Sequence, residues 1–350
     1  MNLMNKSESI SIIVPCRNEK NHIEGCLNSI LLQDCPAASF EVIAVDGMSH
    51  DGTRNILMKV AEGNPNLRVV DNPSRTTPSA MNRGIAAARG QYIAILGAHT
   101  QYAPNYLRVC LELLQEHPEA ACSGGPIVSK GKGPFGQAVA AAMSHAVGVG
   151  NAKHRLPDYE GYAEGACYPM FRREVFETVG LYDENLIRNQ DDEFNFRLTR
   201  KGGKVFISPR ARCTYYVRET PSQLFQQYFQ YGLWRVAVLR KHRLPASVRQ
   251  IIPPAFIGLT VISLIVGLSS PGLWRLTGIA LPSVYGMTLA GVGGWVGWRS
   301  GWKIGLLFPV AAAIMHMAYA VGFAMGVLKG GNSLGYNRQV TKGECYESRT

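Results

Sequence analysis

The chain has 350 residues, 46% hydrophobic and 17% charged, which is ample material for one large folded domain or two smaller ones. Its eight cysteines are scattered with no Cys-x-x-Cys spacing, which excludes a zinc ribbon and a disulfide framework, and seven of them are expected as reduced thiols in a cytosolic domain. The net charge is +11, but the densest basic run, Arg235, Arg240, Lys241, His242, Arg243 and Arg249, sits just before an apolar stretch, which favours lipid headgroups over nucleic acid.

The N-terminus carries Lys6 and Glu8 and enters a strand directly, so no signal peptide is expected. The run 10–15 is short, apolar and rich in β-branched residues, and reads as a buried strand. Asn18-Glu19 then opens a helix with Ile23, Leu27, Ile30 and Leu31 on its apolar face. Further strands are predicted at 41–45, 67–70 and 91–96, with helices starting near Asp51-Gly52-Thr53 and at Pro78. Strands alternating with helices imply βαβ units and a largely parallel sheet. Ligands of such sheets lie beyond the carboxyl ends of the strands. Those ends carry Pro15-Cys16-Arg17-Asn18-Glu19, Asp46-Gly47-Met48-Ser49 and Gly97-Ala98-His99. No Gly-x-Gly-x-x-Gly follows the first strand, which argues against a nucleotide-dependent oxidoreductase.

Asn189-Gln190-Asp191-Asp192-Glu193 places three consecutive carboxylates at the start of a helix that Gly202-Gly203 closes. Carboxylates suit a helix N-terminus, and they also suit proton transfer. The segment 221–243 has an apolar stripe of Leu224, Phe225, Tyr228, Phe229, Leu233 and Val236 with a basic end, as expected of a helix lying on a membrane surface. Apolar spans follow at about 251–270, 277–298 and 304–328, each near the 20 residues a bilayer requires. Trp274, Trp295, Trp298 and Trp302 fall near their ends, and Pro253-Pro254, Pro282 and Pro309 are expected to kink them. The basic load before the first span places the soluble part on the cytoplasmic side and the tail 331–350, with Cys345, outside. The expected divisions are 9–220, 221–249, 250–330 and 331–350.

These pieces, in this order, resemble family 2 glycosyltransferases of the GT-A fold, and most closely the membrane-anchored branch of the succinoglycan-biosynthesis type. The matching stretches include Ile13-Val14-Pro15-Cys16-Arg17-Asn18-Glu19, Val45-Asp46-Gly47-Met48-Ser49-His50-Asp51-Gly52-Thr53 and Gly148-Val149-Gly150-Asn151. They continue with Phe171-Arg172-Arg173-Glu174, Arg188-Asn189-Gln190-Asp191 and Gln230-Tyr231-Gly232-Leu233-Trp234. The resemblance implies a nucleoside diphosphate sugar as donor, bound by Pro15, Arg17, Glu19, Asp46, Gly47 and Ser49, with Asp46 on the base edge and Asp51 capping its own helix. It implies Asp191 as the catalytic base of an inverting transfer. Glu164, Asp192, Gln230, Trp234 and Arg235 fall on the acceptor and diphosphate side.

The family ends its fourth strand with Asp-x-Asp or Asp-x-His to carry Mn²⁺ or Mg²⁺. Here Gly97 stands at the first of those positions and His99 remains. Three outcomes are open: Glu164 or Asp192 completes the metal site, a cationic side chain replaces the metal, or activity is lost. The resemblance implies transfer to a lipid-linked or other saccharide acceptor at the cell inner membrane or plasma membrane, in surface polysaccharide or glycolipid synthesis. The alternatives are a processive polysaccharide synthase and a non-catalytic family member. Processive synthases carry Gln-x-x-Arg-Trp, and this chain has Leu233 where that Arg stands.

Overall fold

In the computed structural model, which describes residues 9–35, 40–150, 152–245, 247–269 and 272–329, the first apolar run forms β1 (Ile10–Cys16). It is buried except at half-buried Pro15, because helices cover both faces of its sheet. Ile10, Ile12 and Val14 enter one core with Ile23, Leu27 and Ile30 of α1 (Ile23–Leu31); Ile13 faces the other core. The βαβ alternation continues through β2 (Phe40–Asp46), α2 (Thr53–Glu62), β3 (Leu67–Asp71), α3 (Thr77–Ala87) and β4 (Tyr92–Ile95). The four strands pair in parallel, β3-β2-β1-β4. The first helix starts later than expected. Asn18 takes φ 54°, and the N–H groups of Glu19 and Lys20 donate to the loop after β2 instead of beginning a helical turn.

The chain then runs through β5 (Gln101–Tyr102), α4 (Tyr106–Glu116), β6 (Ala120–Gly125), β7 (Ile127–Lys130), α5 (Gly133–Met143), α6 (Ala146–Val149) and a single 3₁₀ turn, Lys153–Arg155. After these come β8 (Gly161–Ala163), β9 (Cys167–Arg172), α7 (Glu174–Thr178), α8 (Gln190–Arg200), β10 (Lys204–Ile207) and β11 (Cys213–Tyr216). The main sheet has the order β3-β2-β1-β4-β9-β6-β10-β8, and a three-stranded sheet has β5-β11-β7. The first half of the sheet is parallel as expected from the alternation, and the second half is mixed, with β10 parallel to β6. Strand β9 lies antiparallel between β4 and β6, and β8 antiparallel on β10.

The chain divides into two compact units, one running to Glu184 with Gln190–Glu219, the other holding Asn185–Asn189 and the chain from Thr220 onward. The expected boundary near 220 did not anticipate that the five residues before α8 belong to the second unit. That unit consists of α9 (Pro221–His242), a 3₁₀ turn Val248–Gln250, α10 (Ile252–Ser269), α11 (Leu273–Ser300) and α12 (Trp302–Lys329). The stretches Ile252–Ser269, Gly278–Ser300 and Trp302–Lys329 are long and apolar enough to cross a membrane. They present Leu259, Ile262, Leu268 and Met287 outward, the exposure a lipid-facing surface requires.

One face of α9 is covered by α12. It packs along α12 so closely that a Cβ on Gly232 would fall 2.1 Å from the Tyr319 carbonyl oxygen, and one on Gly322 2.0 Å from that of Phe229. Small residues permit that backbone approach. Leu224, Leu233 and Val236 of the predicted stripe are buried, whereas Phe225 is exposed. Arg240 donates to the Val327 carbonyl (2.9 Å) near the end of α12. Pro253 and Pro254 occupy the first turn of α10, where no intrahelical N–H is lost, so they start the helix instead of kinking it. Pro282 and Pro309 lie inside α11 and α12. The tail with Cys345, Asn151 and the side chains of Arg249 and Trp274 lie outside the described residues.

Candidate active site

Strands β1 and β2 run in register to their ends, with Cys16 opposite Asp46, so the loops that follow them emerge side by side. They are tied together by hydrogen bonds. The Gly47 N–H donates to the Cys16 carbonyl (2.8 Å), the Asn18 N–H to Ser49 Oγ (3.0 Å), and the Glu19 N–H to Thr53 Oγ1 (2.7 Å). The His50 N–H donates to Asn18 Oδ1 (3.1 Å) and the Lys20 N–H to Asp51 Oδ2 (3.1 Å). Asp51 also accepts from the Thr53 N–H (2.9 Å) and hydroxyl (2.6 Å) at the start of α2. Burial alone would raise the Asp51 carboxyl; these hydrogen bonds outweigh it and hold it below the ordinary range.

Asp46 is fully buried. Its Oδ1 accepts the Ser49 hydroxyl at 2.6 Å and its Oδ2 the Arg54 guanidinium at 3.1 Å, and Arg54 also reaches Asp71 at 2.6 Å. Asp46 thus ties together the Ser49 and Arg54 parts of the segment that follows β2. Pro15, Arg17 and Glu19 line the neighbouring loop, with Gly47 pressed against the Arg17 side chain.

Past β4, His99 Nδ1 lies 3.4 Å from Glu19 Oε1, which joins the third loop to the first. Position 97 is closed to any side chain. A Cβ there would meet Tyr168 Cε1 at 2.5 Å. The Gly97 N–H donates to the Tyr102 hydroxyl (2.7 Å), and the Thr100 hydroxyl donates to that of Tyr168 (2.8 Å). The donor set at this strand end does not fit a divalent cation gripped by side chains. It offers one imidazole and one carboxylate, with an aromatic ring where the missing Asp would project. Among the described residues no group of three or more His, Cys, Asp or Glu is arranged to hold a metal.

The three carboxylates of α8 are divided by the fold. Glu193 is fully buried and paired with Arg197 (2.9 Å), whose guanidinium also donates to the Val179 and Leu181 carbonyls. Phe194 stacks on Tyr182 at 4.5 Å. This anchoring leaves Asp191 exposed and Asp192 half-buried on the first turn, with Asp191 Oδ1 accepting the Asp192 N–H (2.9 Å). Glu164 is exposed, next to Gly165, which lies against Asn195 of the same helix.

Residues that sequence reasoning missed complete this side. Arg155 lies over the Tyr215 ring, its Cζ 5.8 Å from the centroid, and the His99 ring meets Tyr215 edge-on at 6.3 Å. Burial pushes the Cys167 thiol up to about 12; Arg155 draws it back, while Asp191 and Asp192 push it further. The only sequence signal for Arg155 is that it follows the Gly148-Val149-Gly150-Asn151 stretch. Gln230, Trp234 and Arg235 belong to α9 in the second unit, where Trp234 is buried with Leu186 and Val238, and Arg235 is also buried.

A family model described as glycosyl transferase family 2 matches residues 11–180. The succinoglycan biosynthesis protein ExoA of Rhizobium meliloti (strain 1021) is 32% identical over 322 residues, covering 91% of this chain and 94% of that protein. The chain belongs to glycosyltransferase family 2. A dolichyl N-acetyl-alpha-D-glucosaminyl phosphate 3-beta-D-2,3-diacetamido-2,3-dideoxy-beta-D-glucuronosyltransferase of Methanococcus voltae is 28% identical, over 66% of this chain and 74% of its own. The mannosyltransferase PcManGT of Pyrobaculum calidifontis, solved with GDP-Man and Mn²⁺, superposes with a TM-score of 0.60 at 20% identity, covering 88% of this chain and 86% of that one. The protein is accordingly a family 2 glycosyltransferase with a GT-A fold, followed by three helices able to span a membrane.

Proposed function

We propose that this glycosyltransferase moves one sugar, with inversion, from a nucleoside diphosphate sugar to a lipid-linked glycan acceptor at the plasma membrane, its catalytic unit on the cytoplasmic side. The observation that carries the reading is Asp191. It stands exposed on a helix turn that Glu193, Arg197 and Phe194 immobilise, as a positioned base requires. The acceptor hydroxyl oxygen bonds to the anomeric carbon and gives its proton to Asp191. The bond from that carbon to the diphosphate breaks, and its electron pair leaves on the diphosphate. Pro15, Arg17, Glu19, Gly47 and Ser49 hold the nucleotide on the stitched strand-end loops, with Asp46 fixing them from beneath. Glu164 and Asp192 border the acceptor. The mannosyltransferase PcManGT was solved with GDP-Man and Mn²⁺; no step here is assigned to a divalent cation.

The lipid-linked acceptor is supported by the apolar spans and by the printed name of the Methanococcus relative, which specifies a dolichyl phosphate sugar acceptor. The orientation is supported by the basic run before the first span. Single addition is favoured over processive synthesis because Leu233 occupies the Arg position of Gln-x-x-Arg-Trp.

The test incubates the purified enzyme with radiolabelled UDP-, GDP- and TDP-sugars and a bacterial lipid-linked oligosaccharide extract. The expected result is label in the organic phase, one sugar per acceptor, with anomeric configuration opposite to the donor's. Label confined to free sugar or to long polymer would contradict the reading.

A further inference from the structure

We infer that Arg155 is the side chain that faces the diphosphate of the donor and neutralises it as it leaves. This rests on the nucleoside diphosphate reading above and names the residue that serves it. Transfer of a sugar away from a diphosphate builds negative charge on the leaving oxygen, and a preorganised cation there lowers the barrier. At the strand end where relatives place a carboxylate for a metal, this chain has Gly97, and Tyr168 forbids a side chain in its place. The charge then has to come from elsewhere in the first unit.

Arg155 is suited by position and by chemistry. It sits on the short Lys153–Arg155 turn with its guanidinium over the Tyr215 ring, and His99 packs on that same ring. The ring therefore sets Arg155 beside the loop that carries the strand-end histidine. A cation held beside the strand-end loop can meet the negative charge that builds on the departing diphosphate. A guanidinium also grips two phosphate oxygens at once, and stacking on an aromatic face limits the freedom it loses on doing so.

The experiment uses the full-length enzyme in detergent and compares wild type with Arg155→Gln and Arg155→Lys. Binding of UDP, GDP and TDP is measured by calorimetry against uridine, guanosine and thymidine, with and without Mn²⁺, and transfer is followed with the matching donor. Arg155→Gln is expected to weaken the bound nucleoside diphosphate tenfold or more, leave its nucleoside unchanged, and lower kcat about a hundredfold. Arg155→Lys, which keeps charge but loses the planar fork, is expected to fall between. An unchanged preference for diphosphate over nucleoside in Arg155→Gln overturns the inference while the donor assignment stands. Wild-type enzyme that binds none of the diphosphates overturns both. Failure of both variants to fold would make Arg155 a structural residue and overturn the inference as well.

Discussion

Tyr168 decides what position 97 can hold. Because a Cβ at Gly97 would meet its ring at 2.5 Å, Gly97→Ala should lower stability by about 1–3 kcal/mol, the usual cost of overpacking. In the Gly97→Ala/Tyr168→Ala double variant the two effects should be less than additive, measured by thermal unfolding. Restoring the family's Asp at 97 should destabilise the protein rather than create a tight metal site. Asp46→Ala should cost about 1.5–3 kcal/mol, since it removes charged hydrogen bonds to Ser49 and Arg54. Nucleotide affinity should fall with it, because the loop that Ser49 leads is released; a stable variant with full affinity would refute the positioning role. At this scale sequence reading found the residues but not their partners. Strand ends and motif order pointed to Asp46, His99 and Asp191. Nothing local could show that Arg155, Tyr168 and Tyr215 converge on position 97 and its neighbours, because those approaches join segments far apart in the chain.

At the scale of elements, α8 shows how three adjacent carboxylates divide their work. Glu193→Gln breaks the pair between fully buried Glu193 and largely buried Arg197 and should destabilise by about 3 kcal/mol, whereas Asp192→Asn should leave the unfolding midpoint nearly unchanged. Equal effects of the two would mean that the helix is not anchored through Glu193. Glu41 links β2 to neighbouring segments through the Ser11 hydroxyl, the Arg89 N–H and Arg68. Burial pulls its carboxyl upward, but these partners prevail and hold it below the ordinary range. A carboxyl depressed in the folded state contributes stability at neutral pH that is lost as pH falls through its folded value. Glu41→Gln should therefore flatten the acid side of the stability profile and leave its slope above neutrality unaltered. The helical period of α8 and the β-branched run of β1 were legible because each is a local pattern. The antiparallel insertion of β9 was not, because strand order depends on non-local pairing.

For the whole molecule, the apolar spans were legible from length and composition, and the structure returns three helices within a few residues of them. The neighbour of α9 was not legible, because amphipathicity alone does not say whether lipid or α12 takes the apolar stripe. A Gly232→Leu variant should disrupt the α9–α12 packing and lower extraction stability in detergent, since the Tyr319 backbone occupies that space. The account's central claim is that Asp191 takes the proton of the acceptor in a sugar transfer. The most direct test is the transfer rate of Asp191→Asn beside its affinity for the donor's nucleoside diphosphate. The rate should fall by about 10²–10⁴-fold with affinity within twofold of wild type. A variant that keeps more than a tenth of the wild-type rate would contradict the assignment.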